Sequence, residues 1–219
     1  MRGEVSERIE GVIGAARLAT DLVRLAGDRP RLMVAIAGPP GAGKSTFAEA
    51  LVRELTASGE SSVVVPMDGF HFDDVILQAR GQRSRKGAAF TFDSAGLEVL
   101  LQRIRQREED VAIPIFDRAL ELSRAGAAIV SAETRFVLVE GNYLLLRDEP
   151  WCRLHGLFDF RVFLDVPISE LQRRLLLRIQ SFGYSAEHAE QWLAGNDLPN
   201  IRHVLESSVV ADMTVRNMG

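Results

Sequence analysis

Gly38, Pro39, Pro40, Gly41, Ala42, Gly43, Lys44 and Ser45 follow the spacing G-x-x-x-x-G-K-S. Glycines at 38, 41 and 43 let a backbone bend through positive φ and approach a bulky anion with no Cβ in the way. The amide groups of such a bend, with the positive end of a following helix, cradle phosphate oxygens. Lys44 adds a point charge over the outer phosphates, and the Ser45 hydroxyl can ligate Mg²⁺. Thr46 is its helix-side neighbour, with a weaker claim. The chemistry is nucleoside triphosphate binding. The other reading of these residues is a glycine-rich turn with no ligand, and the flanks weigh against it. Arg31 to Ala37 is a continuous apolar run, as in a strand buried on both faces. Phe47, Ala50, Leu51, Val52 and Leu55 recur at helical spacing after the loop. Strand, loop and helix occur in the order the motif requires.

Two carboxylates end other apolar runs. Ser62 to Met67 reads as a strand that delivers Asp68, with Gly69, Phe70 and His71 behind it. Ligands of parallel sheets bind beyond the carboxyl ends of the strands. Asp68 there is either a turn residue bonding its own backbone or a base that accepts the proton of an attacking hydroxyl. His71 is a substrate contact or a solvated loop residue. Thr134 to Val139 is a second buried run ending in Glu140, a Mg²⁺-supporting acid or a simple cap. Gly141-Asn142-Tyr143 continues as a tight turn near it, which makes Asn142 and Tyr143 candidate substrate contacts. Phe116, Asp117 and Arg118 form either a wall for a polar substrate or a surface pair of little weight. The basic run from Arg80 to Lys86 is a flexible, solvated surface or a loop that folds over an anion.

Ile168, Leu171, Leu175, Ile179 and Phe182 make one apolar stripe at three- and four-residue steps. Arg174 and Arg178 lie along one edge of that stripe, and Arg173 points away. Two arginines on one rim can reach a phosphate across a packed seam; a solvated basic helix is the other reading.

Positioning these groups requires an α/β fold. Val5, Ile9, Val12, Ile13, Ala16, Ala19 and Val23 predict an N-terminal packing helix within residues 1–29, ahead of a core at 30–215. Strands are expected at 31–37, 62–67, 134–141, 160–165 and 208–215. Residues 111–118 read as an extended segment, and Ala119 to Ala127 has no clean period. Asp93 caps a helix carrying Leu97, Leu100, Leu101 and Ile104. A short helix over 186–194 stops at Gly195, and Asp197 is a cap ahead of Pro199. The expectation is one three-layer phosphate-loop domain, a mainly parallel five-stranded sheet with helices on both faces and an arginine-bearing lid helix.

The chain has 219 residues, 47% of them hydrophobic, with a net charge of −4 and a mean hydropathy of +0.03. That suits one domain with an ample core. The charge does not indicate a nucleic-acid or anionic-membrane surface. The single cysteine, Cys152, excludes an intrachain disulfide and fits a reducing cytoplasm. No apolar signal core and no 18-residue apolar span is present. The expected partner is a small molecule in the cytoplasm, and nothing specifies an oligomeric state.

With these residues aligned, the chain resembles the phosphoribulokinase, uridine kinase and bacterial pantothenate kinase family of P-loop kinases. The matching pieces are GPPGAGKST at 38–46, PMDGFHF at 66–72, FTFDSAGL at 90–97, IPIFDRALEL at 113–122, VLVEGNYLLL at 137–146 and the arginine-rich helix at 170–180. It looks most like a short bacterial branch labelled as kinases of fructose transport systems. The resemblance implies ATP-dependent phosphoryl transfer to a small molecule's hydroxyl with Mg²⁺. It implies Lys44 and Ser45 on the phosphates and metal, Asp68 as general base, Glu140 in support of the metal and lid arginines over the γ-phosphate. The family's paired arginines align best with Arg173 and Arg174. Two departures speak against a nucleoside acceptor. The acidic sugar contact of uridine kinases falls near Gly87 here. Their base-reading histidine falls on Glu121, with Phe116 in place of a tyrosine. Pantothenate kinases are longer. A sugar or related polyhydroxy metabolite is the remaining acceptor, with pantothenate or a nucleoside as alternatives and an ATP-sensing domain as a non-catalytic one. A regulatory GTPase would need N-K-x-D, and a transporter ATPase an L-S-G-G-Q-like signature; neither occurs.

Overall fold

The computed structural model describes residues 14–216. Five strands form one sheet in the order β2-β5-β1-β6-β7, where β1 is Leu32–Ala37, β2 Ser62–Pro66, β5 Phe136–Gly141, β6 Phe160–Asp165 and β7 Met213–Arg216. Every pairing in it is parallel. Parallel strands carry crossover helices on both faces, so central strands read as unbroken apolar runs; all six residues of β1 and of β5 are buried. On one face α1 (Ala15–Ala26), α2 (Lys44–Ala57) and α5 (Ile168–Ser181) enclose a core built on Val34, Ile36 and Leu138. On the other, α4 (Ser94–Arg105) and the segment from Tyr143 to Leu157 cover Met33, Ala35 and Val139.

Arg31 precedes β1 and is buried at 8% exposure, with no direct ion pair among the described residues. Its guanidinium donates instead to the carbonyls of Ile104, Ser131, Ala132 and Thr134. The planar fork can satisfy several carbonyls at once. It ties α4 and the 131–134 turn to the amino end of β1, opposite the end that carries the phosphate loop.

Several expectations are corrected. The N-terminal helix begins within the described residues at Ala15 and runs to Ala26; its expected portion at 5–13 lies outside them. The extended segment at 111–118 is β3 (Val111–Asp117), and the unpatterned stretch after it holds β4 (Leu122–Val130), antiparallel to β3 in a separate two-stranded sheet. Most of β4 is exposed on both faces, so no alternation marks it. Gly195 does not stop a helix. α6 (Ala186–Trp192) passes through a wide π-type turn at Leu193–Asp197 straight into α7 (Leu198–Ser207). Asp197 makes no capping hydrogen bond. The last strand starts at Met213 rather than 208, and Val210 is 85% exposed. The basic run at 80–86 is ordered. It follows α3 (Asp74–Ala79), forms a turn at Arg83–Arg85 and ends in a buried Lys86. Asp93 does cap α4, accepting from Gly96 N at 2.9 Å.

A short 3-10 turn at Met67–Phe70 carries Asp68 across the tip of β2 and packs against β3. Gly69 allows that approach, because a Cβ there would lie 2.3 Å from the Pro114 carbonyl oxygen. Backbone cannot yield as a flexible side chain would. Gly69→Ala is therefore expected to lower stability by about 1–3 kcal/mol in urea denaturation. A loss below about 0.5 kcal/mol would show that β3 moves aside freely.

Candidate active site

Parallel register converges three strand ends. Ile36 of β1 and Pro66 of β2 both sit opposite Glu140 of β5, and Ala37 sits opposite Gly141. The loop at 38–43, the Asp68 turn and Glu140 therefore emerge side by side. Gly43 is left-handed at φ 81° and forms the N-cap of α2, whose first residues are Lys44 and Ser45. Gly41 has the same φ, and a Cβ on it would come within 3.2 Å of Leu175. The loop thus lies tight under α5.

These elements wall a cleft of about 790 Å³. On the loop side, Lys44 is 9% exposed and its Nζ donates to Pro39 O at 3.0 Å. Burial pulls its pKa down, against the pull of Glu140 and Asp68. Ser45 Oγ donates to Glu140 Oε1 at 3.2 Å. Burial first, and the Asp68 charge next, push the Glu140 carboxyl up to about 7, against Lys44 and the Ser45 hydroxyl. A carboxyl held up mainly by burial gains when a cation arrives beside it, which suits Glu140 to support one. Among the described residues no group of three or more His, Cys, Asp or Glu is placed to hold a metal by itself. Mg²⁺ ordinarily takes one or two protein oxygens and completes its shell with phosphates and water, so Ser45 and Glu140 fit it.

Asp68 lines the opposite side, its Oδ2 receiving Arg118 Nη2 at 2.8 Å. His71 Nδ1 lies 3.2 Å from Asp68 O, with its ring against Phe92 and Phe116. Burial lowers the His71 pKa, so the imidazole is neutral near pH 7. α5 presents Arg174, Leu175, Arg178 and Ile179 to the cleft, with Phe182 just past its end. Arg174 Nη1 donates to Gly41 O at 3.3 Å and its Nε to Glu170 at 2.7 Å. Two arginines on Glu170, Arg173 first, hold that carboxyl down at about 2.

The structure brings together on the cleft wall Gly41, Gly43, Lys44, Ser45, Thr46, Asp68, His71, Phe116, Arg118, Glu140, Asn142, Arg174 and Arg178, with Pro40 beside them. Six predicted residues are not on that wall. Arg173 faces outward, paired with Glu170 at 61% side-chain exposure. Tyr143 is fully buried, its hydroxyl donating to Gly87 O. Asp117 caps the β3–β4 turn through the amides of Ala119 and Leu120 and pairs with Arg124. Ala42 packs in the core below the loop. Gly38 and Pro39 complete the loop behind the cleft surface; Pro39 contributes the carbonyl that holds Lys44.

Sequence reasoning missed the far wall, where Lys86, Glu121, Trp192, Asn196, Asp197 and Asn200 face the cleft. Lys86 Nζ donates to Asp74 Oδ1 at 2.7 Å and to Glu121 O at 2.9 Å. Only the charge density of the 80–86 run and the Asn-Asp pair at 196–197 hinted at this wall.

A phosphate loop and two acids at the tips of a parallel sheet, roofed by an arginine-bearing helix, define a P-loop kinase. The sequence model of the Phosphoribulokinase / Uridine kinase family matches residues 33–217, and the chain belongs to that family. It is a phosphotransferase. The chain is 38% identical over 191 residues to the uncharacterized protein YggC of Escherichia coli (strain K12), covering 84% of this chain and 77% of that one. It is 31% identical over 207 residues to a Schizosaccharomyces pombe protein provisionally named a uridine kinase, covering 90% and 87%. A crystal structure from Silicibacter sp. TM1040, provisionally named a fructose transport system kinase, superposes with a TM-score of 0.88 at 39% identity, covering 92% of this chain and 98% of that one. No helix among the described residues is long and apolar enough to cross a membrane.

The buried Glu140 carboxyl makes a pH prediction for the free protein. Its folded pKa lies above the ordinary 4.5, so protonation favours the fold. That contribution is complete below the unfolded value and is lost as pH rises through about 7. The Tm of the wild type should fall relative to that of Glu140→Gln across this window. A constant difference between the two would mean that Lys44 and Arg118 already neutralise the ionised acid.

Proposed function

We propose that this chain transfers the γ-phosphate of ATP to a hydroxyl of a sugar or a related polyhydroxy metabolite. One observation carries the reading. The phosphate loop and Asp68 face each other across a cleft that extends well past the phosphate site to a second wall of polar and aromatic side chains. The provisional name of the Silicibacter relative agrees with a sugar acceptor. The departures at Gly87 and Glu121 speak against a nucleoside.

In this reading Asp68 orients the acceptor hydroxyl and takes its proton. The hydroxyl oxygen forms a bond to the γ-phosphorus as the bond to the bridging oxygen breaks, and ADP departs. Arg118 occupies Oδ2 of Asp68 in the free protein. Oδ1 has no direct hydrogen bond among the described residues, so it is the oxygen the acceptor meets first. The loop amides and Lys44 hold the phosphates, and Arg174 and Arg178 reach the transferring group from α5. Mg²⁺ held by Ser45 and supported by Glu140 would neutralise phosphate charge. Phosphoryl transfer asks mainly for alignment and charge neutralisation, which these groups supply.

Asp68→Asn should keep ATP affinity within about twofold and lower kcat on the order of 10²–10⁴. The assay is ADP release over a panel of sugars, polyols, pantothenate and nucleosides with MgATP. An unchanged kcat would remove Asp68 from the base role, and ATP binding with no ADP from any acceptor would favour a sensor. Arg178→Ala is expected to lower kcat more than ATP affinity, by about 10³ or more if it acts as a finger. Arg173→Ala should change neither by more than about twofold, as for a solvated ion pair.

A further inference from the structure

Arg85 leaves the turn at 83–85 and crosses to the α6–α7 junction. Its Nε donates to Asn196 Oδ1 at 3.1 Å and its Nη2 to Asn200 Oδ1 at 3.2 Å. A guanidinium only donates, so both contacts fix the amide oxygens toward Arg85 and turn the amide nitrogens away. The Asn196 nitrogen finds the Lys86 carbonyl at 2.8 Å. The Asn200 nitrogen has no hydrogen-bond partner among the described residues and opens onto the cleft that Asn200 lines, although the residue as a whole is 4% exposed. A donor whose direction is fixed at the cleft surface is one of the few placed polar groups by which a pocket orients a ligand.

Asp197 stands one helical step away on the same wall. Residues three apart in a helix share a face, and the wide turn at Leu193–Asp197 is the kind of local insertion that re-aims side chains at functional sites. Its carboxyl makes no hydrogen bond among the described residues. Burial pushes it up to about 6 against the pull of Arg178, so it is an acceptor at neutral pH. One fixed donor and one acceptor, beside the half-buried ring of Trp192, match two adjacent hydroxyls: one accepts from Asn200 and its neighbour donates to Asp197. An acid group at the same place would meet the Asp197 charge.

Resting on the kinase reading above, we infer that Asn200 and Asp197 form the subsite that grips a vicinal diol of the acceptor, and that Arg85 positions the Asn200 amide. This assigns specificity to the junction of α6 and α7, a region that the phosphate loop and the lid arginines do not use.

The test is direct binding to the full chain without nucleotide, read by Trp192 fluorescence and calorimetry; Trp151 is buried and serves as an internal constant. The probes are D-ribose, D-fructose and mannitol, with 2-deoxy-D-ribose as the analogue lacking one hydroxyl of a pair. At least one polyol is expected to bind at millimolar concentration or tighter. Asn200→Leu and Asp197→Asn should each weaken it about ten- to hundredfold, and Arg85→Met should follow Asn200→Leu. ATP affinity should stay within about twofold, and the preference for ribose over deoxyribose should collapse. A purely structural role would instead lower Tm and ATP affinity together and keep that preference, which overturns the subsite. So does the absence of polyol binding, or polyol binding indifferent to all three variants. Should Asn200→Leu fail to fold, Asp197→Asn and Arg85→Met carry the same readouts. The two readings fail separately. Polyol binding that depends on Asn200 but yields no ADP retires the kinase acceptor and leaves the subsite. ADP formed with an unchanged acceptor KM in Asp197→Asn retires the subsite alone.

Discussion

The in-register ending of β1, β2 and β5 is the constraint on which the site depends. Glu140 sits level with Ile36 and Pro66, so the chain leaving β1 and the chain leaving β2 must pass on either side of it. A parallel sheet places all such exits on one edge, and no single loop could assemble the same groups. Slipping β5 by one residue would flip Glu140 to the other face of the sheet and pair Ser45 with nothing. The complete burial of β1 and β5 makes that slip prohibitive, because it would push charge into an apolar core. The apolar runs are therefore also what sets the catalytic geometry.

That geometry concentrates charge where water is scarce. Lys44 and Glu140 are both nearly buried, and burial acts on them in opposite directions, lowering the lysine and raising the acid. Each partly offsets the other. In the free protein the lysine rests on Pro39 O and the acid on the Ser45 hydroxyl, neutral partners that leave both charges free to act on an incoming anion and cation. Arg174 likewise rests on Gly41 O. Lys44 and Glu140 are held by a backbone carbonyl and a hydroxyl rather than by a direct ion pair, while Arg174 is also paired with Glu170, so little has to be broken around the loop when the nucleotide enters. A preorganised site of this kind lowers the cost of binding.

The legible parts of the chain were those with two independent signals. Gly38 to Ser45 had both spacing and flanking elements, and β5 had a long apolar run with an acid at its end. The stripe of Ile168, Leu171 and Leu175 separated Arg174 and Arg178 from Arg173 by helical geometry alone, as the cleft shows. What was not legible lacked such a pattern. β4 carries Ser, Arg, Ala and Gly on surfaces that water touches from both sides, so nothing alternates. Gly195 looked like a helix end because glycine usually is one, yet it sits inside a wide turn that tertiary packing carries through. The run ending in Lys86 read as either a solvated surface or a loop over an anion, because a charge run alone does not say what it packs against. The burial of Lys86 depends on Asp74 and Glu121, twelve and thirty-five residues away. Tyr143 followed Asn142 in a turn beside the site, but the chain points it into the aromatic cluster of Phe92 and Trp151.

The far wall follows a different rule from the phosphate side. Lys86 places its Nζ on Asp74 and Glu121, Arg83 adds a second bond to Asp74, and Arg85 is engaged by two asparagines. Burial alone would raise Asp74, but its bonds to Lys86 and Arg83 hold it down. Lys86 and Arg83 are thus paired with carboxylates within the protein, and Arg85 spends its hydrogen bonds on two neutral amides. What remains available there is directional: a fixed amide donor, a carboxyl acceptor and aromatic faces. Charged groups at the phosphate-loop end and oriented hydrogen-bonding groups at the other give the cleft two chemically different ends. On the function proposed above, a triphosphate would be drawn to one end by charge and an acceptor sorted at the other by geometry.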